Sequence, residues 1–296
     1  MIPLILLYAS LVNDVRGFLA RHDDAAAERT VRAYQARSGN TPELAAALSW
    51  LARATLAEKK LDRAESYASE SLGISLKLLG SGNPDADEWL PTALGASIEV
   101  QAQALAAEGR KSEAIGFLLE QYKRFASTSF ADRIQKNVNL LVLVGKPAPV
   151  LMEADWLGRK PPPLSALRGR PVLLFFWAHW CPDCKSMAVS LGNIQRTFAP
   201  AGLVLIGPTR LYGYAAGGEP AGPVEEKRYI DKVKLQYYAG LASMPVPISA
   251  ANFVAYGAST TPTIVLLDGH GIVRLYHPGA MPETELAAQI RSVLLK

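Results

Sequence analysis

Hydrophobic and polar positions follow two different periods along this chain, and the change falls near residue 145. Before it, apolar residues recur every three or four positions. Leu4, Leu7, Leu11, Val12, Val15 and Leu19 set the pattern, which places one face of a helix against a core. The same spacing predicts helices over 4–20, 23–37, 42–58, 61–79, 89–108, 111–126 and 130–141. The breaks carry the chemistry of helix ends. In SGNTPE (38–43), Thr41 is a natural N-cap and Pro42 fits the first helical position. GSGNPDADE (80–88) has the Gly, Asn and Pro that stop a helix and turn the chain. EKKLD and EGRKSE are shorter hinges.

From Gly145 the chain is Pro-rich and turn-rich until the apolar run PVLLFFWA (171–178). A continuous run of that length suits a strand buried on both faces. An amphipathic stretch, SMAVSLGNIQRTF, follows, and then a second apolar strand, LVLIG (203–207). A Gly/Pro-rich insertion (208–223) leads to a polar helix near 224–239, an extended piece VPI (246–248) and a helix near 249–256. TIVLLD and IVRLYH flank DGHG as strand, turn and strand, and 282–295 closes the chain as an amphipathic helix. The predicted order is β-α-β-α-β-β-α. Two domains are expected, an all-α one over 1–144 and an α/β one over 145–296, which suits a chain of 296 residues.

A weak repeat underlies the helical half. Aligning Ala64 with Ala114 superposes the two hinges. Leu51, Ala52, Ala64 and Ala68 in one unit then correspond in role to Ala102, Leu105, Ala114 and Leu118 in the next. Small residues at these positions let antiparallel helices approach closely. The pattern resembles tetratricopeptide (TPR) repeats, although the spacing of 50 residues exceeds the usual ~34. The resemblance implies a peptide-docking or dimerising surface; a helical cap without a partner fits equally.

Composition adds little. The chain is 49% hydrophobic and 20% charged, with net charge +4. Residues 1–144 hold 16 Lys and Arg against 17 Asp and Glu, and 145–296 hold 15 against 10. So mild a surplus, without a basic block, points to a solvated surface and not to nucleic-acid binding. The opening MIPLILLYASL lacks a basic segment and is too short to span a bilayer. It reads either as the start of a first buried helix or as the remnant of an export signal. No other segment is long and apolar enough to cross a membrane.

Both cysteines lie in FFWAHWCPDCK (175–185). Cys181 and Cys184 can form a redox pair, half of a zinc site, or a pair of inert buried thiols. A strand that delivers CxxC to a helix start favours disulfide exchange. The first thiolate then meets free N–H groups and the helix dipole, and the second thiol, one turn on, can attack a mixed disulfide. Pro182 stiffens that turn without losing a hydrogen bond, and Trp180 with Trp177 supplies an apolar wall. Zinc requires four ligands. There is no second Cys pair, and His22, His179, His270 and His277 are scattered.

FFWAHWCPDCKSM, preceded by GKPAP and PLSALRGRPVLL and followed by TTPT (260–263) and IVLLDGHGIV, closely resembles the TlpA/ResA branch of the thioredoxin superfamily. The resemblance covers about 145–296. It implies a thioredoxin fold and thiol–disulfide exchange on proteins, with no cofactor beyond the Cys181–Cys184 disulfide. It makes Cys181 the exposed nucleophile, Cys184 the resolving thiol and Pro262 a cis residue facing them. It also has Thr261 offering its backbone to an extended substrate.

Two acids common in such proteins are missing, since Phe175 and Met187 occupy their positions. The general base for the resolving thiol is therefore unassigned. Asp183 is the nearest carboxylate in sequence; its charge opposes a Cys181 thiolate, which predicts a more reducing pair. His179 is expected to lie partly exposed beside the site, where it can tune Cys181. Asp268 and His270 are expected to shape the hairpin turn.

The leading expectation is a two-domain thiol–disulfide oxidoreductase whose helical domain selects partner proteins or forms a dimer. A TPR-like adaptor with a thioredoxin-fold platform is one alternative. A thiol peroxidase is another, although Ala178 stands where that chemistry needs Thr or Ser. The resemblance implies an extracytoplasmic place, in the periplasm or cell envelope; two cysteines fit the cytoplasm too.

Overall fold

The computed structural model describes residues 10–295, and the chain divides into two compact units, Met1–Asn137 and Val138–Lys296. The first unit is built of helices. These are α1 (Leu11–Ala20), α2 (Asp24–Ser38), α3 (Pro42–Ala57), α4 (Leu61–Leu79), α5 (Leu90–Ala107), α6 (Lys111–Phe125) and α7 (Ala131–Val142), the last running across the division. The expected start of the first helix, residues 4–9, lies outside the described residues. Thr41 caps α3 as expected, its hydroxyl accepting the Leu44 N–H at 3.1 Å.

The core of this unit is rich in alanine. Ala45, Ala46, Ala47, Ala52, Ala64, Ala68 and Ala93 are all fully buried, which lets α3, α4 and α5 pack closely. Ser71 adds a polar tie among them. Its hydroxyl donates to the Ala45 carbonyl at 2.7 Å and lies 2.7 Å from the Ser97 hydroxyl, linking α4 to α3 and α5. Of the eight residues aligned in the repeat, all but Leu105 are buried.

The repeat extends to the backbone of the hinges. After α3, the N–H groups of Glu58, Lys59 and Lys60 bond to the carbonyls of Ala54, Leu56 and Thr55. After α5, Glu108, Gly109 and Arg110 bond to Ala104, Ala106 and Leu105, the same pattern. Lys59 has φ of 61° and Gly109 of 83°, so both turns pass through the left-handed region.

The second unit holds a four-stranded sheet and a two-stranded ribbon. The strands are β1 (Trp156–Leu157), β2 (Val172–Phe176), β3 (Val204–Ile206), β4 (Val246–Pro247), β5 (Thr263–Leu267) and β6 (Val273–Pro278). In the main sheet the order is β3-β2-β5-β6, with β2 parallel to β3 and antiparallel to β5. The ribbon pairs β1 with β4, and β1 has no counterpart in the predicted order. Its two residues are too few to show a period.

The helices are α8 (Pro182–Ser186), α9 (Ala188–Phe198), α10 (Pro223–Tyr237), α11 (Ala250–Tyr256) and α12 (Glu283–Leu294). The helix begins at Pro182 as expected, but the single amphipathic run expected to continue past Cys184 breaks at Met187. Strand β2 alternates across the sheet as its burial requires. Leu173 and Phe175 enter the cluster that contains both cysteines, while Val172, Leu174 and Phe176 enter the cluster on the other face. Apolar residues on both faces explain why β2 reads as an unbroken hydrophobic run. Among the described residues, no helix is long and apolar enough to cross a membrane.

Candidate active site

Strand β2 ends at Phe176, and the chain then turns sharply into α8. The turn closes through the Cys181 N–H, which donates to the Ala178 carbonyl at 3.1 Å. It is anchored by Trp177, whose indole N–H donates to the Gly207 carbonyl at 3.0 Å and whose backbone carbonyl accepts from the Thr209 hydroxyl at 2.8 Å. Trp177 is thus fully buried, and of the two tryptophans expected to form a wall only Trp180 is at the surface, 45% exposed. Trp177 faces inward because it still follows the alternation of β2 and packs at 5.0 Å against the Tyr238 ring.

Cys181 is the N-cap of α8 and Pro182 its first residue. The cysteines are joined as a disulfide, with Cα atoms 5.3 Å apart. The Cys184 N–H points at the Cys181 sulfur from 3.0 Å, the interaction that favours negative charge there once the pair is reduced. Cys184 is fully buried, and Cys181 is only 2% exposed. The expectation of an exposed Cys181 is therefore corrected for this oxidised state, because both sulfurs belong to the apolar cluster beneath α8. Pro182 and Asp183 are exposed.

The 260s loop closes the other side. Pro262 is buried, its bond to Thr261 is cis, and the Thr261 carbonyl lies 3.4 Å from the Cys181 sulfur. The fold therefore brings together Cys181, Cys184, Trp180, Thr261 and Pro262, separated by about 80 residues in sequence. Phe175 and Met187 are buried in the same cluster as the cysteines.

His179 departs from expectation most clearly. It is fully buried, not partly exposed. Its Nε2 lies 3.1 Å from Oε1 of Glu226 on α10, and Tyr212, Tyr214 and Tyr229 meet its ring edge-on at 5.6, 5.4 and 5.4 Å. Burial pushes its pKa below the ordinary histidine range, against the pull of Glu226. Sequence reasoning missed Glu226, because nothing in Glu225-Glu226-Lys227 on a polar helix marks one acid as buried. The Tyr212-Gly213-Tyr214 pair inside the insertion was the available signal. Asp268 shapes the hairpin as expected, accepting from the His270 and Ile272 N–H groups at 2.8 and 3.0 Å. Among the described residues there is no cluster of three or more His, Cys, Asp or Glu able to hold a metal ion.

The model of the thioredoxin-like domain family matches residues 165–294. This segment is a thioredoxin-like domain. The chain is 26% identical over 154 residues to the thiol-disulfide oxidoreductase ResA of Geobacillus thermodenitrificans, covering 51% of this chain and 79% of that one. It is 28% identical over 161 residues to ResA of Halalkalibacterium halodurans, covering 54% and 78%. Among solved structures, it is similar to a thiol:disulfide interchange protein of the thioredoxin family from Chlorobium tepidum, at 20% identity and a TM-score of 0.38 over 51% of this chain and 97% of that one. Within the thioredoxin-like domain, the disulfide lies at the end of the central strand β2, where side chains from distant parts of the sequence converge.

Proposed function

We propose that the chain catalyses thiol–disulfide exchange on proteins through Cys181 and Cys184. The observation that carries the reading is the disulfide lying against the Thr261 carbonyl, 3.4 Å from the Cys181 sulfur. In the reduced chain, the Cys181 thiolate attacks one sulfur of a substrate disulfide. That S–S bond breaks, and the departing sulfur takes up a proton. Cys184, deprotonated, then attacks the Cys181 sulfur of the mixed disulfide and releases the second substrate thiol. Two electrons and two protons pass to the substrate, and the chain is left with its own disulfide. The reverse sequence oxidises a dithiol.

Trp180 and the backbone of Thr261 border the approach to Cys181, so an extended substrate segment pairs at Thr261 in strand fashion. The helical unit is the proposed surface for choosing protein partners or for dimerisation. An extracytoplasmic place, in the periplasm or cell envelope, is supported by the resemblance to the TlpA/ResA branch.

The test is reduction of insulin by the full chain with dithiothreitol as electron donor. Cys181→Ser is expected to fall to the uncatalysed rate. Cys184→Ala is expected to accumulate a mixed disulfide that dithiothreitol releases. An unaltered rate in Cys181→Ser would sink the proposal.

A further inference from the structure

Phe175 and Met187 leave the cysteines without the usual acids, yet a buried carboxylate lies against the turn that carries them. Glu226 is 1% exposed. Its Oε1 accepts the Tyr212 N–H at 2.6 Å and its Oε2 accepts the Gly213 N–H at 2.8 Å. Both oxygens act as acceptors, the pattern of an ionised carboxylate. Oε1 also faces His179 Nε2, so the ring hydrogen belongs on Nε2. That leaves Nδ1 as a bare lone pair, buried and without a hydrogen-bond partner among the described residues.

The pair is joined to the redox turn in two ways. His179 is two residues before Cys181, which holds their Cα atoms within ~7 Å of each other. Tyr212, whose N–H is held by Glu226, packs edge-on against both His179 at 5.6 Å and Trp180 at 5.5 Å. A buried carboxylate is thus held against the turn that carries the cysteines. Its charge opposes a thiolate, and a less stable thiolate makes a dithiol a stronger reductant.

We propose that His179 and Glu226 are positioning residues of the redox centre that act on it by charge: the buried carboxylate makes the pair more reducing, and protonation of His179 cancels that effect. The inference rests on the proposed exchange activity and names what sets its poise. The titratable groups facing His179 are Glu226 and Tyr229 from α10 and Tyr212 and Tyr214 from the insertion; Lys185 of α8 acts at longer range, and the Arg210 guanidinium lies over the Tyr212 ring, 5.0 Å from its centroid. Of these, only Glu226 is a carboxylate, and both of its oxygens accept hydrogen bonds. Burial keeps His179 uncharged near neutral pH, so its protonation belongs to mildly acidic solution.

The test uses the full chain. The Cys181 thiolate of the reduced protein is followed by its ultraviolet absorbance across pH, and the dithiol is equilibrated with glutathione. Glu226→Gln is expected to raise the thiolate fraction at fixed pH by roughly threefold to tenfold and to shift the glutathione equilibrium toward the reduced protein. Glu226→Asp keeps the charge and is expected to return toward the unmodified chain. His179→Gln, itself uncharged, is expected to leave both curves unchanged above neutral pH. It should also remove the inflection that the glutathione equilibrium of the unmodified chain, followed against pH, shows on the acid side of the ordinary histidine range, where too little thiolate is present for its absorbance to report.

A Glu226→Gln chain with an unshifted thiolate curve overturns the inference, as does a His179→Gln chain that keeps the inflection. If Glu226→Gln does not fold, the His179→Gln comparison decides alone. A purely structural role would lower folding stability in both variants and leave both curves in place, which counts against the proposal. The thiolate curve needs no turnover. A chain that fails to exchange with glutathione or insulin therefore overturns the activity, while an unshifted thiolate overturns only the charge coupling.

Discussion

Gly207 shows how closely single residues are constrained around the redox turn. A methyl group placed there would come within 2.7 Å of Met244 Cε and 3.2 Å of the Trp177 indole nitrogen. That nitrogen donates to the Gly207 carbonyl and anchors the end of β2. Gly207→Ala is therefore expected to cost about 1–3 kcal/mol, read as a lowered urea midpoint. A midpoint equal to that of the unmodified chain would show that Met244 yields freely. The cysteines and Trp180 were legible in the sequence because an apolar strand runs straight into a CxxC turn, and Pro262 because TTPT resembles the loop of the TlpA/ResA branch. Glu226 was not, since its burial depends on the insertion folding over it to supply the Tyr212 and Gly213 N–H groups. A loop-to-helix contact of that kind leaves no periodic trace.

Among elements, the hinges of the helical unit make the sharper case. Helices α3 to α6 were predictable to within one or two residues, since burial of one face imposes its period directly. The two hinges share one hydrogen-bond pattern, but one places Lys59 at positive φ where the other places Gly109. A side chain in the left-handed region costs roughly 1 kcal/mol, and glycine avoids the clash at some cost in unfolded-state entropy. Lys59→Gly is accordingly expected to stabilise the chain by about 0.5 kcal/mol, measured by chemical denaturation. Destabilisation would mean that the Lys59 side chain makes a contribution of its own. By contrast, β1 was invisible because two residues in a ribbon carry no period, and its partner β4 was read only as an extended piece.

At the scale of the whole molecule, the two units carry different sensitivities to acid. In the helical unit, burial pushes the Glu99 carboxyl up, but the charges of Arg133 and Lys136 outweigh it and hold the pKa at about 2. Stability from this group is present above its unfolded value of 4.5 and is lost as pH falls toward about 2. In the thioredoxin-like unit, the unfolded chain binds a proton at His179 more readily than the folded one. Stability there is full above roughly pH 6.5 and declines as pH falls below it. Acidification from neutrality to about pH 5 is thus expected to weaken the second unit while sparing the first. Hydrogen exchange with mass spectrometry, corrected for intrinsic rates, resolves the two; simultaneous loss of protection in both would contradict it.

The disulfide has a practical consequence as well. The chain has two cysteines, and both are consumed in one bond. An alkylating reagent of known mass therefore adds nothing to the oxidised chain and two groups to the reduced one. A single group marks a chain caught bonded to another molecule. The protein's mass alone is a gauge of where it stands in its cycle, with no stray thiol to confuse the count.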